Sequence, residues 1–152
     1  MSRRISCAKR WFPSDAGSAV VEFSLLAVLT LVPLLALITT AFSVQRASFA
    51  LTAAARESVR AIVLADSGSQ GSARGRLMMR TVVTDQGLPA SRVAFALRCS
   101  TRPCLSPGGS VRVDLRTSVR VVGLPRLFGR SVAVPVTATA SAVVDQYRSV
   151  RP

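Results

Sequence analysis

Three small sets of residues in this sequence have types and spacings that could do chemistry. The first is a lone carboxylate, Glu22, at the start of a long apolar stretch. The second is a pair of cysteines, Cys99 and Cys104, with Ser100-Thr101-Arg102-Pro103 between them. The third is a row of arginines, Arg112, Arg116 and Arg120, in a segment that alternates apolar and polar residues. What is missing narrows the chemistry further. The 152 residues contain no histidine, which removes Ser-His-Asp and Cys-His catalysis, histidine-ligated zinc and histidine pH sensing together. Seven Asp and Glu residues, scattered along the chain, leave little material for an acid–base pair. The composition therefore predicts a protein that is not an enzyme and needs no metal or cofactor.

A bridge between Cys99 and Cys104 would close a tight loop in which Pro103 helps the turn, and would place that region outside the cytoplasm. A redox pair is the functional alternative, but such pairs usually read C-x-x-C at a helix start. Two free thiols are the plain alternative, and a zinc site of two cysteines is incomplete. Cys7 stands far from both.

The arginine row lies in a strand pattern. Val111, Val113, Leu115, Thr117, Val119 and Val121 alternate with Arg112, Asp114, Arg116, Ser118, Arg120 and Val122, which predicts a half-buried strand with a charged outer face. Successive arginines of the row would stand about 13 Å apart. Such a row suits a cell-wall polymer, anionic lipid or DNA. DNA fits worst, because Trp11 and Tyr147 are the only Trp and Tyr and sit at opposite ends of the chain. The plainer reading is an exposed strand face whose charges discourage edge pairing.

These residues need elements to position them. Apolar types make up 49% of the chain, against 20 Lys and Arg of which only Lys9 is a lysine, for a formal charge of +13. Mean hydropathy is +0.41, which points to a membrane segment. A basic head (Arg3, Arg4, Lys9, Arg10) precedes it. From Phe23 to Val44 there is no charge over 22 residues, and as a helix this run spans about 33 Å, enough for a bilayer core. Beyond it Leu51, Ala55, Val59 and Ile62 recur at helical spacing, with Arg56 and Arg60 on another face and Glu57 and Arg60 placed to pair. One long helix is predicted from about Ser18 to Leu64, apolar all round over 18–44 and amphipathic over 45–65. Pro33 should kink it. Residues 66–72 read as a break, and Ala73 to Asp85 as a short second helix. Three strands follow: one carrying Val93, Phe95 and Leu97 inward, the arginine strand, and Val132 to Val144, where Pro135 argues for an edge position. Pro107-Gly108-Gly109 and the segment from Gly123 to Arg130 supply the turns. The predicted fold is α+β: a long N-terminal membrane-spanning helix packed on a small antiparallel β-meander. The meander is too small to stand alone and needs the outer half of the helix to cover its apolar face.

The N-terminus excludes simpler explanations of the apolar run. It is longer than a secretory signal core. Cys7 precedes it, so a lipoprotein anchor fails, and Arg3-Arg4 alone is a weak transport signal. A plain anchor gains nothing from Glu22, because an unpaired carboxylate in hydrocarbon is costly.

Gly17-Ser18-Ala19-Val20-Val21-Glu22-Phe23 resembles the prepilin cleavage motif of type IV pilins. In that family a membrane peptidase cuts after the glycine and the glutamate is the fifth mature residue, the spacing found here. The short basic leader, Pro33 eleven residues after Glu22, and Ala53-Ala54-Ala55-Arg56-Glu57-Ser58-Val59-Arg60-Ala61 narrow the resemblance to the TadE-like family. These are minor pilins or pseudopilins of the tight-adherence (Tad, Flp-type) pilus and secretion machinery. Cys99-Ser100, Pro103-Cys104-Leu105, Pro107-Gly108 and the ending Val144-Asp145-Gln146-Tyr147 are similar to members from high-GC Gram-positive bacteria. Unlike the very short major pilins, this chain adds a domain of about 90 residues, which suits a minor subunit.

The resemblance implies a pilin-like fold, a cytoplasmic leader over residues 1–17 cut between Gly17 and Ser18, a single membrane pass, and an extracytoplasmic α+β domain over 66–152. Glu22, with Phe23 beside it, would serve subunit assembly by pairing with a neighbour's Ser18 amine. That pair neutralises two charges that are each expensive in hydrocarbon and fixes axial register. Pro33 would be a hinge or simply a tolerated kink. The implied partners are the prepilin peptidase, other pilin subunits and the membrane assembly platform; nucleic acid is not expected. The chief alternative is an uncleaved single-pass membrane protein whose basic outer domain binds an anionic cell-surface ligand. A third is an extracytoplasmic thiol–disulfide enzyme, which the missing C-x-x-C argues against.

Overall fold

The computed structural model describes residues 16–121 and 132–147. Helix α1 runs from Ala16–Val63 and helix α2 from Gly68–Asp85. A 3-10 turn at Ala90–Arg92 leads into strands β1 (Ala94–Cys99), β2 (Ser110–Arg120) and β3 (Ala133–Val143). The architecture is α+β: a long apolar N-terminal helix, a second helix, and a three-stranded antiparallel sheet in the order β1-β2-β3.

The 48 residues of α1 divide into two sections. Residues 19–39 are bare: all are exposed except Ala27 and Ala36, which are half-buried. These 21 residues rise about 31 Å, close to the ~30 Å of a bilayer's hydrocarbon core. The hydroxyls here are satisfied within the helix. Ser24, Thr30 and Thr39 donate to the carbonyls of Val20, Leu26 and Leu35 at 2.7, 2.8 and 2.9 Å, as a segment without water requires. Pro33 lies inside the helix, which continues on both sides of it.

From Thr40 onward α1 carries a buried stripe. Ala47, Leu51, Ala54, Ala55, Ser58, Val59 and Ile62 lie at helical spacing and are closed off from solvent. The alanines keep the helix surface low, so the sheet approaches closely, and Leu51 and Ile62 fill the space between. Opposite them stand Val111, Val113 and Leu115 of β2 and Val136 of β3, all buried, with Phe95 and Leu97 of β1 half-buried beside them. The period-two pattern thus puts one sheet face on α1 and leaves the other open to solvent.

Helix α2 is longer than the sequence pattern suggests. It starts at Gly68, inside the Gly- and Ser-rich run read above as a break. Ser67 caps it, accepting the Gln70 N–H at 3.3 Å, while the Gln70 side chain accepts the Asp66 N–H at 3.1 Å. This departs from a capping box by one residue, since the Gln70 side chain takes the N–H before the cap rather than that of Ser67 itself. The glycines that weaken the helical signal serve packing: Gly71 and Gly75 press on Ile62 of α1. At its other end Gly87, in the left-handed region at φ 74°, turns the chain against the Arg46 guanidinium.

Strand β3 is an edge strand, and Pro135 pairs with Ser118 there, as proline in a strand requires. The Gly123–Arg130 turn and residues 1–15 of the 1–17 leader lie outside the described residues. The Glu57–Arg60 pair does not form. Both side chains are exposed, and two long exposed side chains gain little by holding one geometry. Among the described residues the ion pair found is Arg98 with Asp114.

Candidate functional site

Gly17 and Ser18 fall in the first turn of α1. Glu22 stands on the bare section, exposed and without a partner among the described residues. Phe23 beside it is 73% exposed. In water such a glutamate is unremarkable; within or near hydrocarbon it needs a positive partner, because a lone carboxylate there is costly. Pro33 lies about 16 Å further along the axis. Among the described residues both lie on the exposed section, outside the buried core of the domain.

Cys99 and Cys104 form a disulfide with their Cα atoms 5.2 Å apart. The bridge sits at the end of β1, not at a helix start, which sets it apart from the common dithiol arrangement. Hydrogen bonds fasten the loop it closes. The Ser100 N–H donates to the Ser110 carbonyl at 2.9 Å, the Ser110 N–H to Ser100 Oγ at 2.8 Å, and Ser106 Oγ to the Pro103 carbonyl at 2.7 Å. Leu105, just past the bridge, is buried in the core. Gly108, at φ 72°, turns the chain, and the Val144 N–H donates to the Gly109 carbonyl at 2.7 Å. The bridge therefore anchors the sheet end that lies beside the start of α2, where a Cβ on Gly68 would stand 3.7 Å from that of Cys104.

Arg112, Arg116 and Arg120 all project from the open face of β2 and are exposed. Asp114 between them is already engaged. Thr139 Oγ1 donates to its Oδ1 at 2.7 Å, and Arg98 Nε lies 3.3 Å from its Oδ2. The three row arginines have no ion pair among the described residues. Arg112 and Arg116, with Arg98, Thr137 and Thr139, border an open hollow of about 540 Å³. The arrangement can hold phosphate or carboxylate groups by charge-assisted hydrogen bonds. Among the described residues no group of three or more His, Cys, Asp or Glu side chains gathers.

Reading the sequence alone misses two features. One is the close approach of α2 on α1, for which Gly71 and Gly75, four apart, were the available signal. The other is the company of Arg120. A second hollow, of about 140 Å³, brings it together with Leu88, Pro89 and Arg92, and nothing in the spacing of residues 92 and 120 foretells this.

The class these features define is an α+β chain that carries, among the described residues, one helix long and apolar enough to cross a membrane. Comparison with family models, curated proteins and solved structures finds no match to this chain.

Proposed function

We propose that this chain is a TadE-like minor pilin or pseudopilin, a non-enzymatic structural and assembly component of a Tad-type pilus or secretion apparatus. A prepilin peptidase removes the leader by cutting after Gly17. Ser18 becomes the first mature residue, residues 18–44 cross the cell membrane, and the domain lies outside it. Glu22 then pairs with the Ser18 amine of a neighbouring pilin subunit.

The observation that carries this reading is Glu22 itself: a carboxylate without a partner among the described residues, near the start of a bare apolar section and five residues after a glycine. A membrane anchor alone has no use for it. The deciding experiment is the intact mass of the protein extracted from membranes. A start at Ser18, lost in Gly17→Leu or in cells without the peptidase, supports the proposal. A start at Met1 or Ser2 refutes it.

One observation favours the second reading, an uncleaved anchored protein whose basic domain binds an anionic surface ligand. The row arginines are exposed and unneutralised, since Asp114 is taken by Arg98 and Thr139. On that reading Glu22→Ala has no effect.

A further inference from the structure

The domain has two ends along α1, and they differ in charge and in distance from the bare section. The far end is marked by Cys104 beside Gly68, close to where α1 ends. Strand β2 begins there, at Ser110, and runs back along α1 to Arg120. The near end is built by three contacts. Gly87, after α2, lies against the Arg46 guanidinium, where an added Cβ would meet Nη2 at 2.7 Å. Leu88, Pro89 and Arg92 share a hollow with Thr117, Ser118 and Arg120. Thr117 Oγ1 donates to the Arg92 carbonyl at 3.0 Å. Arg46, Arg92 and Arg120, 74 residues apart in sequence at the extremes, therefore gather at one end of the fold.

That end lies where α1 leaves the bare section. Arg46 is seven residues past residue 39, about 10 Å along the axis. Hydrocarbon core and headgroups together span roughly 40–45 Å, so the near end falls at the edge of the headgroup layer, within reach of a flexible arginine. All three arginines are exposed and unpaired among the described residues. Asp85, at the end of α2, is exposed and pairs with none of them. Phe42 and Phe49, on the same helix face as Arg46, are 68% and 77% exposed. Aromatic side chains flanking an arginine suit the membrane interface.

We propose that this end of the domain docks on anionic phospholipid headgroups of the membrane that α1 enters, through Arg46, Arg92 and Arg120. The proposal rests on the reading of residues 18–44 as the membrane-crossing segment, with the exposed residues 19–39 in the hydrocarbon. Each guanidinium presents a planar fork that matches a phosphate. Docking would fix the angle between domain and bilayer, which α1 alone leaves free.

The test is hydrogen exchange on the full chain in nanodiscs of phosphatidylcholine or of phosphatidylglycerol. Amides of residues 87–93 and 117–121 should be protected roughly tenfold more on the anionic lipid. The gain should vanish at high salt and in Arg92→Gln/Arg120→Gln, yet persist in Arg112→Gln/Arg116→Gln, whose arginines lie on the same strand toward the far end. Equal protection on both lipids, with residues 23–39 slow in each, overturns the docking alone. Rapid exchange of residues 23–39 overturns the membrane span with it. Protection produced on phosphatidylcholine by inorganic phosphate overturns headgroup docking in favour of a free anion.

Discussion

Replacing each glycine of α2 in turn by alanine sets two effects of opposite sign against each other. In a helix interior alanine is favoured over glycine by about 0.8–1.0 kcal/mol. Against this stands the space each new Cβ would meet. At Gly75 it would lie 2.6 and 2.7 Å from Cγ1 and Cδ1 of Ile62, and 3.3 Å from the Ser58 carbonyl. Carbon atoms prefer about 3.5–4.0 Å, so Ile62 must give by close to 1 Å. It is fully buried and cannot swing into solvent. Overpacking of this kind costs about 1–3 kcal/mol, so Gly75→Ala should be destabilising by about 1 kcal/mol net. At Gly71 the nearest atoms stand at 3.1 and 3.3 Å, and a shift of a few tenths of an ångström leaves the two effects near balance. At Gly68 the nearest atom is 3.7 Å away, and the substitution should be neutral or slightly stabilising. The assay is urea unfolding of the full chain in detergent, followed by pulse proteolysis of the domain. Ile62→Val removes Cδ1, one of the two clashing carbons, and leaves Cγ1; alone it should cost about 0.5–1.5 kcal/mol, and combined with Gly75→Ala somewhat less than the sum. A Gly75→Ala protein as stable as Gly71→Ala, or strict additivity with Ile62→Val, would refute the packing argument.

On the proposed assembly role, Glu22→Ala should leave the protein in the membrane but abolish cross-linking between neighbouring subunits, since breaking a buried charge pair costs about 3–5 kcal/mol; undiminished cross-linking would count against that role. Cys99→Ala/Cys104→Ala removes a short closed loop and should lower stability by about 2 kcal/mol, while leaving a folded sheet by circular dichroism. Asp114→Asn should cost less than about 1 kcal/mol, because the Arg98 partner of its ion pair is 75% exposed. The same change strengthens the positive field of the open sheet face, so retention on a polyanionic resin should rise with stability hardly altered.

Much of the fold is legible because burial in it is periodic. The stripe of Leu51, Ala55, Val59 and Ile62 and the alternation along β2 each follow from one side of an element facing the core, and both are buried as spaced. The start of α2 was not legible, since glycine and serine lower helical propensity while close packing and a side-chain cap restore the helix. Those are tertiary gains with no local signature. The candidate sites divide in the same way. Glu22 and the arginine row are visible because the carboxylate interrupts an apolar run and the arginines share one strand. Arg46, Arg92 and Arg120 come to one end of the fold through the turn at Gly87 and the Thr117 hydrogen bond, and sequence distance hides such a group.

The two sections of α1 share one backbone, and this constrains how the domain can respond to whatever the bare section binds. Leu51 and Ile62 are core residues of the domain and also residues of the helix that carries Glu22. A domain tethered by a loop could rotate freely while its anchor was fixed in register. Here the helix continues from the bare section into the core, so an axial shift at Glu22 is carried to the sheet with little slack. Pro33 lies between the two, eleven residues from Glu22 and seven before Thr40, where burial begins. It removes one backbone hydrogen bond from the ladder, making this the point where bending costs least. A force applied at the N-terminus should therefore bend α1 near Pro33 before it disturbs Leu51, because bending there loses fewer contacts than pulling a buried leucine from the sheet. On the proposed assembly role, the register set at Glu22 and the domain built on the other section can then differ in direction while the helix between them holds their distance.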